Sequence, residues 1–307
     1  MIYMLIFSQK GKTMTEISLW KEEYKIGNKE IDEQHYQLFC KIERLLSISL
    51  SDNFADKKKE CYLLINFLID YTHFHFETEE RIQKEMHYVG YEQHLWIHRE
   101  FIETILEYKE KLEEHFSLHT LKSFLGTLLT WLTLHVCGCD RKIMDNISLD
   151  EPNVLADVAG NIDMVISQFF ENHYGLGVMG ATTCLYKGFV DGKIIVRWVV
   201  RGKHEYVLLY GMSEEIAREL YTLISTLKIG NIAILDEMEQ SALMEITDIL
   251  TSRIIAVISD DKVTDFHYEH NIYIKEYTDE TYNLRDSIVI NMETDYGNME
   301  VLYCQLK

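Results

Sequence analysis

Residues 71–80 read YTHFHFETEE, and the fold turns on which of two histidines faces inward. His73 and His75 stand two apart, and each has a glutamate four residues on, Glu77 and Glu79. Residues four apart share a helix face, so either His–Glu pair could hold a metal ion jointly. Leu64, Leu68, Tyr71, His75, Glu79, Ile82 and Met86 trace one apolar stripe at helical spacing. That stripe places His75 and Glu79 on the buried face. His73 and Glu77 fall beside Asn66, Asp70, Glu80 and Lys84, a solvated face.

The neighbouring segments repeat the pattern. One helix carries His35, Leu38, Phe39, Ile42, Leu45 and Leu46 on its stripe, with Asp32 expected as its N-cap. Another runs His94, His98, Phe101, Ile105, Tyr108, Leu112, and a fourth runs Leu121, Leu125, Leu128, Leu132, His135. Four long amphipathic segments joined by short polar connections predict an all-α, up-down four-helix bundle. Each helix puts a polar side chain where leucine belongs. One inward histidine is ordinary, but five with a glutamate would strand polar atoms at about 1–3 kcal/mol each without a metal. Asp140 stands five residues after His135 and would be off its face on an ideal helix. A π-type turn near Gly138 would bring it inward. Seven donors exceed the needs of one ion, whereas two ions bridged by Glu79 and Asp140 would use all of them. Imidazole and carboxylate without thiolate suit iron, manganese or zinc.

The rest of the 307 residues bounds the function. A formal net charge of −20 argues against nucleic acid or an anionic membrane as principal partner. MIYMLIF at the start is too short to span a bilayer and lacks signal-peptide flanks. The expectation is a cytoplasmic protein, with residues 1–13 an extension ahead of an alternative start at Met14. The six cysteines are scattered, and Cys137 and Cys139 read as reduced thiols in a helix. Pro152, the only proline, marks a boundary between domains expected at 14–150 and 153–307. Residues 153–171 keep helical spacing. Strand-like ATTCLYKGFV, GKIIVRWVV and EYVLLYGM follow, then two helices, then HNIYIKEY, SIVINME and MEVLYCQL. The second domain is therefore α+β.

LWKEEYKIGNKEIDEQH, HFETEE, HLWIH and HVCGCD resemble the bacterial hemerythrins in order and spacing, over about residues 18–145. The resemblance implies a non-haem centre of two iron ions that binds O2 reversibly. His94, His98 and His135 would hold the coordinatively full iron, and His35 and His75 the one with a vacancy. Glu79 and Asp140 would bridge them together with an oxo or hydroxo group. MEQSALMEITDIL in the second half resembles the CheC/CheX chemotaxis phosphatases, whose motif reads ALxEIxNIL. That resemblance implies that Glu245 pairs with a lysine of a phosphorylated CheY-like response regulator, while the asparagine orients water. Here Asp248 replaces the asparagine and Ser252 a usual glycine. A carboxylate cannot donate a hydrogen bond and repels a phosphoryl group. The expected function is an O2 sensor whose second domain acts on or binds such a regulator. The alternative is O2 storage, delivery or scavenging, with a degenerate second domain that forms a homodimer. Peroxide or nitric oxide chemistry at the open iron is a third course.

Overall fold

A computed structural model describes residues 18–49, 54–145, 158–174, 180–185, 194–225, 235–259, 267–274, 284, 287–294 and 296–306. The chain divides into two compact units, with the main division between Asp150 and Glu151. Pro152 and residues 1–13 lie outside the described residues.

The first unit is built from α1 (Lys29–Ser49), α2 (Phe54–Glu85), α3 (Tyr91–Glu114) and α4 (Leu118–His135). Each packs on its chain neighbours and α1 closes on α4, which makes a four-helix bundle. Side chains fix the directions. Arg44 at the end of α1 meets Glu60 near the start of α2 at 2.6 Å, while His35 and His75 meet at the opposite end. Adjacent helices therefore run antiparallel.

The N-cap of α1 differs from expectation. Asn28 Oδ1 accepts the N–H groups of Glu30 (3.0 Å) and Ile31 (3.3 Å), so the helix begins before Asp32. Asp32 instead accepts the Ile26 N–H at 2.7 Å and ties the preceding chain to the first turn. Trp20 and Tyr24 of that chain pack on Phe39. The stripe of α2 also shifts. Cys61, Ile65 and Leu68 are packed, whereas Leu64 is partly exposed and Leu63 is 62% exposed.

α2 ends at a residue of positive φ. His87 (φ 54°) donates its N–H to Lys84 O, and Tyr88 donates to Gln83 O, the paired bonds of a Schellman cap. Ser117 caps α4 by accepting the Thr120 N–H at 3.0 Å. Beyond α4, Val136–Asp140 is one π-helical turn, followed by α5 (Arg141–Asp145).

The second unit comprises α6 (Val158–Tyr174), β1 (Gly180–Leu185), β2 (Ile194–Arg201), β3 (Glu205–Met212), α7 (Glu214–Ser225), α8 (Glu237–Ile258), β4 (His267–Ile274), β5 (Ile288–Thr294) and β6 (Gly297–Leu306). The strands form one antiparallel sheet in the order β1-β5-β6-β3-β2-β4. α8 opens on a capping box between Asp236 and Glu239 and lies on one sheet face. There Trp198 Nε1 donates to Thr247 Oγ1 at 2.9 Å, and Tyr210 hydroxyl meets Thr251 Oγ1 at 2.8 Å. Ile195, Val199, Val207, Leu209 and Leu302 form a buried cluster on the other face. Burial on both faces explains why IIVRWVV is nearly continuous in apolar residues rather than alternating. The architecture is the expected bundle followed by an α+β unit.

Candidate metal centre

The antiparallel arrangement brings the start of α1, the last third of α2, the start of α3 and the end of α4 to one level. His35, His75, Glu79, His94, His98 and His135 meet there, all within 3% of complete burial. Asp140 joins them from the π-helical turn and is fully buried. On an α-helix five residues advance the side chain to about 140° from its starting direction. Bonding from i to i+5 lets the fifth residue return over the first, so Asp140 and His135 meet at 2.9 Å.

The donors fall into two groups that could each hold a cation. One is Glu79, His94, His98, His135 and Asp140, and the other is His35, His75, Glu79 and Asp140. Within each group the donor atoms lie within 4.8 Å of one another. Both carboxylates belong to both groups, and each divides its oxygens between them. Glu79 Oε1 faces His35 Nε2 (3.7 Å) and His75 Nε2 (3.8 Å), while Oε2 faces His98 Nε2 (3.3 Å) and His94 Nε2 (3.8 Å). Asp140 Oδ2 faces His35 Nε2 at 3.1 Å, while Oδ1 faces His135 and His94 at 2.9 and 3.2 Å.

The electrostatics suit ligation. Burial, reinforced by neighbouring imidazoles, holds His75 and His98 well below the ordinary histidine range. Burial lowers His135 to about 4 against the pull of Asp140. Those rings are neutral at pH 7, the form that binds metals. Burial alone would raise Asp140, but His135, His35 and His94 together hold it well below its usual value. Glu79 goes the other way, raised well above its usual value by burial and then by Asp140.

A cation fits this set on the evidence of the orphaned atoms. Neither oxygen of Glu79 has a hydrogen-bond donor, and the Nε2 atom of His75 is likewise unmet. His135 Nε2 lies 3.0 Å from His94 Nε2 and 3.1 Å from His98 Nε2. Each neutral imidazole has one N–H, so three such nitrogens cannot satisfy one another as well as a positive ion would. Buried polar groups left this way are costly unless a cation completes them.

The walls are aromatic and dry. Phe76 stacks on His98 at 3.6 Å, Trp131 on His135 at 4.1 Å, and Phe101 on Trp131 at 3.5 Å between ring centres. Behind the rings, His98 Nδ1 faces Glu80 at 3.4 Å and His75 Nδ1 meets Gln34 at 2.9 Å. Glu80, expected on a solvated face, is thus mostly withdrawn from water. His73 and Glu77 are exposed.

The sequence model described as Hemerythrin HHE cation binding domain matches residues 27–147. Those residues are a hemerythrin domain. Similar proteins include a bacteriohemerythrin of Clostridium acetobutylicum, 25% identical over 127 residues, which are 41% of this chain and 98% of that protein. A bacteriohemerythrin of Stenotrophomonas maltophilia is 25% identical over 165 residues, covering 53% of this chain and 94% of its own. Among solved structures, the CheX-CheY-BeF3-Mg+2 complex from Borrelia burgdorferi aligns with 50% of this chain and all of its own, with TM-score 0.41 and 12% identity. Every donor described above lies inside the hemerythrin domain.

Outside that domain, Glu245 and Asp248 lie on a partly buried stretch of α8. Desolvation, then the nearby Asp248, raises Glu245 well above the usual carboxylate range. Neither belongs to a metal-capable group among the described residues. No helix among the described residues is long and apolar enough to cross a membrane.

Proposed function

We propose that this chain is a cytoplasmic O2 sensor with a non-haem di-iron centre, built as domains 14–150 and 153–307. The observation that carries the reading is the division of Glu79 and Asp140, each turning one oxygen to either histidine group. Two positions sharing two carboxylates are what a bridged pair of ions requires. His94, His98 and His135 would hold one iron and His35 and His75 the other. The second position has one fewer protein donor, which leaves it open to a small ligand. When bound, the iron pair would supply reversible O2 binding through electron exchange. The protein holds His75, His98 and His135 as neutral imidazoles and keeps water away with the Phe76, Phe101 and Trp131 stacks.

The second domain would bind, or dephosphorylate, a phosphorylated CheY-like response regulator. Support comes from ALMEITDIL at 242–250, with Glu245 pairing a regulator lysine and Asp248 beside the phosphoryl group. Asp248 also favours a second reading, O2 storage or scavenging with a C-terminal domain retained for homodimerisation, because its carboxylate lacks the donor that orients water.

The test is anaerobic loading with ferrous salt, an iron count and absorption spectra before and after O2. About two iron ions per chain and a reversible colour change are expected. No stoichiometric iron and no colour would overturn the proposal. Equal regulator binding and dephosphorylation with and without O2 would remove the sensing role.

A further inference from the structure

The two imidazole nitrogens of His75 are not equivalent, and the choice between them is made by residues outside the donor set. Nδ1 of His75 lies 2.9 Å from Gln34 Oε1. The other end of that amide, Nε2, lies 3.3 Å from Thr78 Oγ1. Thr78 Oγ1 lies in turn 2.9 Å from the carbonyl oxygen of Phe74, one turn back along α2. Gln34, Thr78 and His75 are all buried.

The directions of these bonds follow in sequence. A carbonyl oxygen only accepts, so the single hydroxyl proton of Thr78 is committed to Phe74. Thr78 Oγ1 is then an acceptor toward Gln34, and the Gln34 group facing it must be the NH2. The carbonyl end of Gln34 therefore faces His75, and Nδ1 of His75 must carry the ring proton. Nε2 is left as a bare lone pair, on the side of His35 and Glu79. Flipping the Gln34 amide would set two acceptors against one proton at Thr78.

We infer that Thr78 and Gln34 are positioning residues that fix the His75 tautomer, relayed from the Phe74 backbone carbonyl, so that Nε2 stays free for the two-histidine metal position. The step from tautomer to metal rests on the di-iron reading above. The tautomer itself does not.

Two-bond 1H–15N NMR of the full-length, metal-free chain reads the tautomer, and Zn(II) titration by calorimetry reads the metal positions. The wild type should show His75 protonated at Nδ1. Thr78→Val should give a mixture or the opposite tautomer and weaken the second Zn(II) equivalent roughly 10- to 100-fold, leaving the first unchanged. Thr78→Ser should restore both readouts. Gln34→Glu, which can only accept once ionised, should keep the Nδ1–H form. A wild-type His75 protonated at Nε2, or a Thr78→Val chain unchanged in both measurements, overturns the inference. Should Zn(II) fail to bind while the tautomers follow Thr78, the relay stands and the di-metal reading falls.

Discussion

Replacing Glu79 with leucine should reverse its effect on stability depending on whether metal is present. Glu79 is fully buried, with both carboxyl oxygens unmet and four imidazole Nε2 atoms 3.3–3.8 Å away. Its raised pKa reflects the cost of burying the carboxylate, and neither oxygen gains a hydrogen-bond partner to offset that cost. An unsatisfied buried polar group costs about 1–3 kcal/mol. An apolar side chain of similar volume removes that cost, and comparable replacements of buried polar groups are neutral or stabilising. Metal-free Glu79→Leu should therefore gain about 1–3 kcal/mol, a rise of roughly 2–12 °C in Tm for a unit of this size. With metal the sign inverts, because the substitution deletes a donor common to both groups. Each tenfold loss of affinity removes about 1.4 kcal/mol of the ion's contribution. Urea unfolding followed by helical circular dichroism, in chelator and in saturating Zn(II), measures both limbs. Glu77→Leu, on the exposed face of the same helix, is the control and should change either limb by less than about 0.5 kcal/mol. If Glu79→Leu destabilises the chain equally with and without metal, the carboxylate is held by protein contacts, and the argument from orphaned atoms fails.

Two further outcomes are expected. Glu245 has a folded pKa above its unfolded value, so its favourable contribution is complete below about pH 4.5 and is lost as pH rises through the folded pKa. Glu245→Gln should therefore stabilise the second unit increasingly as pH rises above about 4.5 toward the folded pKa, read by urea unfolding at each pH, and a pH-independent effect would contradict this. Gly90→Ala would place a Cβ 2.8 Å from Cζ and Oη of the buried Tyr88 ring. Displacing that ring should cost about 1–3 kcal/mol and weaken Zn(II) binding, measured by unfolding and calorimetry on the same protein.

The bundle was legible because its signal is periodic. Histidines and a glutamate that interrupt a leucine stripe at intervals of three and four identify their own face, and six of the seven converging donors are of this kind. Asp140 was not readable from α-helical spacing, since its place depends on an i to i+5 turn that only packing settles. Contacts between helices were equally invisible. Glu80 looks solvated on the wheel of α2 alone, and it is α3 that brings His98 against it. Gln34 stands next to His35 in sequence, but its role depends on Thr78, 44 residues away. The cap of α1 was misplaced for a local reason: Asn28 and Asp32 both suit an N-cap, and the preceding chain claims Asp32. In the second unit, residues covered on both sheet faces lose the alternation that reveals which side each one takes.

The π-helical turn that delivers Asp140 has a support that begins at the cap of α2. Such a turn forfeits regular α-helical bonding and persists where surrounding contacts favour it. On its inner side Asp140 is engaged by His135, His94 and His35. On its outer side Cys139, with Ile143 of α5, packs against Tyr88 in a separate buried cluster. Tyr88 owes its place to the residues around it: His87 turns the chain with positive φ, and Gly90 leaves room for the ring. The same ring sits edge-on to His94 at 6.4 Å. The connection between α2 and α3 therefore acts on both sides of the centre, bracing the turn that carries one bridging carboxylate and backing a histidine that faces it. A change at Gly90 should on this reasoning reach the donor set through packing alone, with Asp140 displaced and Glu79 left in position on its uninterrupted helix.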